Sequence, residues 1–160
     1  MNLKQIRDEF PALKIRQNGR PYLCADSAAT ALKPRAVVRA MKKYLEKETA
    51  NAGRGLYRLS EKIAESVETV RKKIADFVGA EDPSEIIFTR GTTDSVNLLA
   101  HSLGETFRRG DEVLTTDLEH HSNFVPWKIL EPTRGIRLRS VPVLASGEWD
   151  PRELKKNLSN

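Results

Sequence analysis

Apolar residues recur at three- and four-residue steps in two stretches of the chain. Ile63, Val67, Val70, Ile74, Phe77 and Val78 line one face of a long helix that Gly79 ends. Ser60 is a candidate cap for it. Val37, Met41, Tyr44 and Leu45 mark a shorter helix with a single apolar stripe, with Pro34 in its first turn. That helix frays into Asn51–Gly55. Near the start, Leu3, Ile6 and Phe10 predict a short helix over 2–10, which Pro11 stops. Asn18-Gly19 is a turn signal, and Tyr22–Ala25 then reads as a short strand. A loop of small residues, Asp26–Thr30, follows.

The second half alternates. Ile86–Thr89 is a short continuous run of strand formers, the pattern of a strand buried on both faces. A helix from Asp94 to about Phe107 comes next, then a strand at Glu112–Thr115. A loop with a short helix spans Asp117–Leu130, and a strand spans Ile136–Val143. Gly147 turns the chain into a last helix, with Asp150 as cap and Pro151 at its first position. Such alternation predicts an α/β fold, a mainly parallel sheet flanked by helices. Three strands leave the edges and faces of that sheet bare, so the sheet reads as incomplete and the chain as the first part of a larger α/β protein. The expected layout is an N-terminal arm over 1–20 and a truncated domain over 21–160.

Composition narrows the classes. Of 160 residues, 39% are hydrophobic and 31% charged, which fits a soluble globular chain. No apolar run is long enough to span a membrane, and MNLKQIRDEF has no apolar signal core. Cys24 is the one cysteine, so no disulfide forms within the chain, and the cytoplasm is the expected compartment. The net charge of +5 is spread out. Lys42-Lys43 and Arg71-Lys72-Lys73 lie in helical patterns beside Glu46, Glu65 and Glu68, as solvated faces do. No aromatic residues interleave with them to stack bases, so nucleic-acid binding is not indicated.

Three constellations carry candidate chemistry. Thr89-Arg90-Gly91-Thr92-Thr93-Asp94 stands between the predicted strand and a helix. A helix N-terminus offers free N–H groups and partial positive charge, on which a phosphate settles. Gly91 permits close backbone approach, and Thr92 and Thr93 add hydroxyls. The same residues also suit an ordinary threonine-capped turn. The P-loop ending Gly-Lys-Ser/Thr is missing. The second constellation, Asp117–Asn123 (DLEHHSN), follows the next strand and opens at the same sheet edge. Its adjacent histidines do not point the same way and form no i, i+4 pair, which argues against a metal site. An imidazole there can stack on a ligand ring or shuttle protons, or simply face solvent. The third is the pair of small-residue loops, Asp26–Thr30 and Asn51–Gly55. Arg54 between glycines suits a carboxylate, or a solvated connector.

Four motifs in order then resemble one family. They are DSAATALKP at Asp26–Pro34, IFTRGTT at Ile87–Thr93, GDEVL at Gly110–Leu114 and EHHSNFVPW at Glu119–Trp127. From about Phe10 to Asp150 the chain resembles the SUF-type cysteine desulfurases of the class V aminotransferases. Selenocysteine lyases and related members look similar. The resemblance implies the N-terminal part of a fold-type-I transferase that depends on pyridoxal 5'-phosphate (PLP) and works as a homodimer. It implies an L-cysteine substrate yielding L-alanine and an enzyme persulfide, with sulfur passed to an acceptor protein for iron–sulfur cluster assembly. By motif, Gly91, Thr92 and Thr93 bind the PLP phosphate, and His120 stacks on the ring and assists proton transfer. Ala28 and Ala29 border the substrate, and Arg54 reaches toward the partner subunit's active site. Gly53 and Tyr57 stand where the family often has histidines. No lysine here matches the family's Schiff-base motif, and Cys24, in an apolar segment, does not replace the persulfide cysteine. The isolated chain is therefore expected to be inactive. A non-catalytic phosphate-binding module that pairs with a partner chain is the other reading of the same features.

Overall fold

The computed structural model describes residues 2–158, and its contacts divide the chain into two units, Met1–Ile86 and Ile87–Asn160.

In the first unit, helix α1 (Leu3–Asp8) opens with a capping box between Asn2 and Gln5 and leads into a 3-10 turn at Pro11–Lys14. Asn18 and Gly19 both take positive φ, joining the two-residue strands β1 (Arg16–Gln17) and β2 (Arg20–Pro21) as an antiparallel hairpin. Helix α2 (Arg35–Lys43) follows Pro34, which caps it from outside the first turn, and runs on as a π turn through Tyr44–Glu48. Helix α3 (Arg58–Val78) ends at Gly79 as its periodicity predicts.

Three expectations fail here. Tyr22–Ala25 forms no strand: Tyr22 N–H bonds the Ile15 carbonyl, and the rest lies outside any ladder. Cys24 is therefore half-buried in a loop rather than in a strand. Ser60 does not cap α3. Tyr57 holds that position without a side-chain bond, and Ser60 sits inside the first turn with its hydroxyl on another task.

The second unit is a βαβ arrangement. Strands β3 (Glu112–Thr116) and β4 (Arg137–Val141) pair in parallel, with Leu114 opposite Arg139. Helix α5 (Val125–Arg134) makes the crossover, and α4 (Thr92–Gly104) packs on α5. Ala100, Leu130 and Ile136 form the buried centre, with Phe107, Val113 and Trp127 against it. Helix α6 (Pro151–Asn157) starts at Asp150, whose carboxylate accepts the Arg152 N–H. Ile86–Thr89, expected as a strand buried on both faces, forms none. Ile87 is 69% exposed, and among the described residues the parallel sheet has two strands instead of three. A strand exists only when neighbours take up its backbone groups, and among the described residues no neighbour completes a ladder there. Helix α4 begins at Thr92, two residues before the expected start at Asp94.

Glu131 ties α5 to β4. Its carboxyl is held below the ordinary glutamate value of 4.5, chiefly by the Lys128 ammonium and then by the Leu138 N–H at 2.9 Å. A depressed carboxylate supports the fold fully above its ordinary value and loses that support as pH falls through the lower folded value. Hydrogen exchange at the Leu138 amide should therefore stay slow at pH 5 and 6 and accelerate, beyond its intrinsic pH trend, only as the solution is acidified below 4.5.

Candidate active site

The N-terminus of α4 is open. Its cap is Gly91, which brings no side chain, and among the described residues no side chain accepts the first N–H groups of the helix. Thr89, the nearest threonine to play an ordinary cap, is engaged elsewhere. Its hydroxyl bonds the Gly91 carbonyl at 3.3 Å and the Ser95 hydroxyl at 2.7 Å. The Thr92 and Thr93 hydroxyls have no hydrogen-bond partner among the described residues, and both residues are exposed. An uncapped helix start with two available hydroxyls is a donor set suited to a phosphate. The acidic residue nearby is tempered. Arg90 bonds Asp94 with its guanidinium and its backbone N–H, and these bonds, the guanidinium's first, hold the Asp94 carboxyl below its ordinary range.

His120 lies just beyond the carboxyl end of β3, on the edge where parallel sheets place ligands. It caps a 3-10 turn, His121–Asn123, that packs on α4. The cap is its own ring: Nδ1 accepts the Ser122 N–H at 3.1 Å, with the Ser122 hydroxyl 2.9 Å away. The His120 and His121 rings meet edge to face at 72°, so they do not converge on a common ion. Among the described residues no group of His, Cys, Asp or Glu is placed to hold a metal.

The loop is held by residues the sequence reading passed over. Thr116 donates to Glu119 Oε1 at 3.3 Å, Asn123 Nδ2 donates to Glu119 Oε2 at 2.8 Å, and Trp127 Nε1 donates to Asn123 Oδ1 at 3.1 Å. Glu119, Asn123 and Trp127 stand at i, i+4 and i+8, a spacing that was available as a signal.

The other candidates belong to the first unit. Ala28 and Ala29 lie in an exposed turn closed by Thr30 N–H to the Asp26 carbonyl. Arg54 is exposed in the Asn51–Gly55 loop and has no hydrogen-bond or ion-pair partner among the described residues. That loop is clasped. The Ser60 hydroxyl, 1% exposed as a residue, donates to the Asn51 carbonyl and accepts the Gly55 N–H at 3.1 Å, while Tyr57 Oη accepts the Asn51 N–H at 3.4 Å.

The α/β chain carries an open, hydroxyl-lined helix start and a sheet-edge histidine within one unit. Its lineage is specific: residues 23–160 match the profile of the class-V aminotransferases. The chain belongs to that family. It is 38% identical over 159 residues to a cysteine desulfurase of Wigglesworthia glossinidia brevipalpis, covering 99% of this chain and 39% of the relative. It is 40% identical over 155 residues to a probable cysteine desulfurase of Synechocystis, covering 96% and 37%. Among solved structures, the apo cysteine desulfurase of Thermococcus onnurineus superposes with a TM-score of 0.83 at 36% identity, over 98% of this chain and 38% of that one. A cysteine desulfurase of Escherichia coli follows with 0.79 at 34% identity, over 99% and 39%. The chain thus spans about two fifths of the length of these relatives, and its mixed helix and sheet make up part of their fold.

Proposed function

We propose that the chain is the N-terminal portion of a PLP-dependent cysteine desulfurase. The observation that carries the reading is the uncapped α4 N-terminus with its two available threonine hydroxyls, next to the packed turn that His120 caps. The relatives are named cysteine desulfurases, and the motif resemblance supplies the reaction: sulfur leaves L-cysteine, giving L-alanine and an enzyme persulfide. The four motifs favour the SUF-type subgroup, acting as a cytoplasmic homodimer that hands sulfur to an acceptor protein for cluster assembly.

Gly91, Thr92 and Thr93 are the residues that hold the phosphate. Their N–H groups and hydroxyls neutralise and orient it, and the α4 dipole adds attraction. PLP, when bound, supplies an electron sink for the substrate's α-carbon bonds. His120 would pack against the cofactor ring and hold a proton near the reacting atoms. Ala28 and Ala29 leave room for substrate, and Arg54 binds a carboxylate across the dimer. Residues 1–20 form an arm, and 21–160 belong to the cofactor domain.

Binding by the chain itself tests this. Titrating the ¹⁵N-labelled chain with PLP should shift the Thr92, Thr93 and Asp94 amides, as inorganic phosphate should at higher concentration. Pyridoxal, which lacks the phosphate, should leave them in place. Equal shifts with pyridoxal, or none with PLP, would remove the phosphate role from this helix.

A further inference from the structure

We infer that the loop after β3 presents His120 as a single tautomer, with its proton on the outward nitrogen Nε2, and that Asn123 is the positioning residue that keeps it so. What that proton serves rests on the proposed reading; the tautomer itself follows from the geometry of the loop.

A backbone N–H can only donate. Ser122 N–H points at His120 Nδ1 at 3.1 Å, so Nδ1 must offer its lone pair. In a neutral imidazole the proton then resides on Nε2. The alternative tautomer would set two hydrogens against each other at that contact. His120 therefore faces a ligand as a hydrogen-bond donor, and its lone pair is committed to the protein. The turn that brings Ser122 N–H to the ring is fixed from both ends. Asn123 has its amide orientation decided by chemistry. Indole Nε1 of Trp127 only donates, so it must meet Oδ1, and the Glu119 carboxylate only accepts from the other side, so it must meet Nδ2. Trp127 packs on the buried Ala100–Leu130–Ile136 cluster, and Glu119 is held by Thr116 at the end of β3. The relay thus connects the ring's orientation to the core. Replacing the Asn123 side chain cuts the ties of the turn to Glu119 and Trp127 while leaving its backbone bonds and every atom of His120 unaltered.

Long-range ¹H–¹⁵N correlation on the labelled, cofactor-free chain reads the tautomer directly, at about pH 8.5, where an ordinary imidazole is neutral. His120→Gln assigns the signals. The expected pattern is a protonated Nε2 and a lone-pair Nδ1 for His120. An averaged pair of nitrogens, or a protonated Nδ1, would overturn the assignment. Asn123→Ala should collapse the pattern toward the average, with the β3 and β4 amides unmoved. Trp127→Phe keeps the ring packing and deletes one donor, and should shift the pattern part of the way. If both variants keep the wild-type pattern, the relay has no positioning role. These readouts need no cofactor, so their failure is distinct from failure of PLP to bind.

Discussion

Replacing Gly91 by alanine is expected to weaken PLP binding by about fivefold to a hundredfold while leaving the β3–β4 unit folded. Gly91 sits at φ 153° and ψ 179°, in a region that residues with a Cβ rarely enter. Space is not the obstacle, because a Cβ built there meets nothing within 4 Å. The conformation itself costs about 1–3 kcal/mol for alanine. The chain can relieve that strain by turning the peptide that joins Gly91 to Thr92. That rotation swings the Thr92 N–H away from the helix axis, where the phosphate needs it. At about 1.4 kcal/mol per factor of ten, the strain translates to a loss between about fivefold and a hundredfold. Phosphorus NMR titration with PLP measures it, and amide dispersion of β3 and β4 reports the fold. Thr93→Val, which deletes a hydroxyl and keeps the backbone, should lose less. Binding by Gly91→Ala at wild-type strength would show that the backbone path through this glycine does not shape the site.

The helices of this chain were legible because their signal is internal. Ile63 to Val78 repeats with the period of α3, and each helix bonds its own backbone. The Asn18-Gly19 turn and the Asp150-Pro151 helix start were legible for the same reason, since both are local devices. Strands are not local. Tyr22–Ala25 and Ile86–Thr89 have strand composition, yet whether they pair depends on neighbours that composition does not reveal. The apolar stripe of α2 and the π turn that continues it shows the same limit: Val37, Met41 and Leu45 keep helical spacing and remain exposed. At the site, residue types were readable and their wiring was not. His120 stood out as a histidine, but the donor that fixes its tautomer is a backbone N–H, which every residue except proline carries. Ser60 was read as a cap because hydroxyls usually serve helix ends. Its actual partners, Asn51 and Gly55, come from a loop whose path the sequence does not specify.

Gly55→Ala should unfasten Asn51–Gly55 and expose the bond after Arg54 to trypsin, without unfolding α3. A Cβ on Gly55 would lie 2.5 Å from Ser60 Oγ, 2.6 Å from Ser60 Cβ and 2.6 Å from a Tyr57 ring carbon. These separations are too short for any rotamer to accommodate, because two of the three atoms belong to a buried side chain with one short arm. Overpacking of this kind costs about 1–3 kcal/mol. The loop is the part that gives way, since its residues are mostly exposed and Ser60 is anchored in a long helix. Ser60→Ala attacks the same clasp from the other side. It orphans the Asn51 carbonyl and the Gly55 N–H, but water reaches this loop, so the loss is about 1 kcal/mol, near the worth of an ordinary hydrogen bond. The double variant separates clasp from clash. If both substitutions act only by releasing the loop, Gly55→Ala adds little once Ser60 is alanine, and the two effects fall short of their sum. Cleavage rates after Arg54 in the four chains measure that coupling. Strict additivity would mean that Ser60 and Gly55 hold the loop independently, and that the hydroxyl's bond to Gly55 contributes nothing to presenting Arg54.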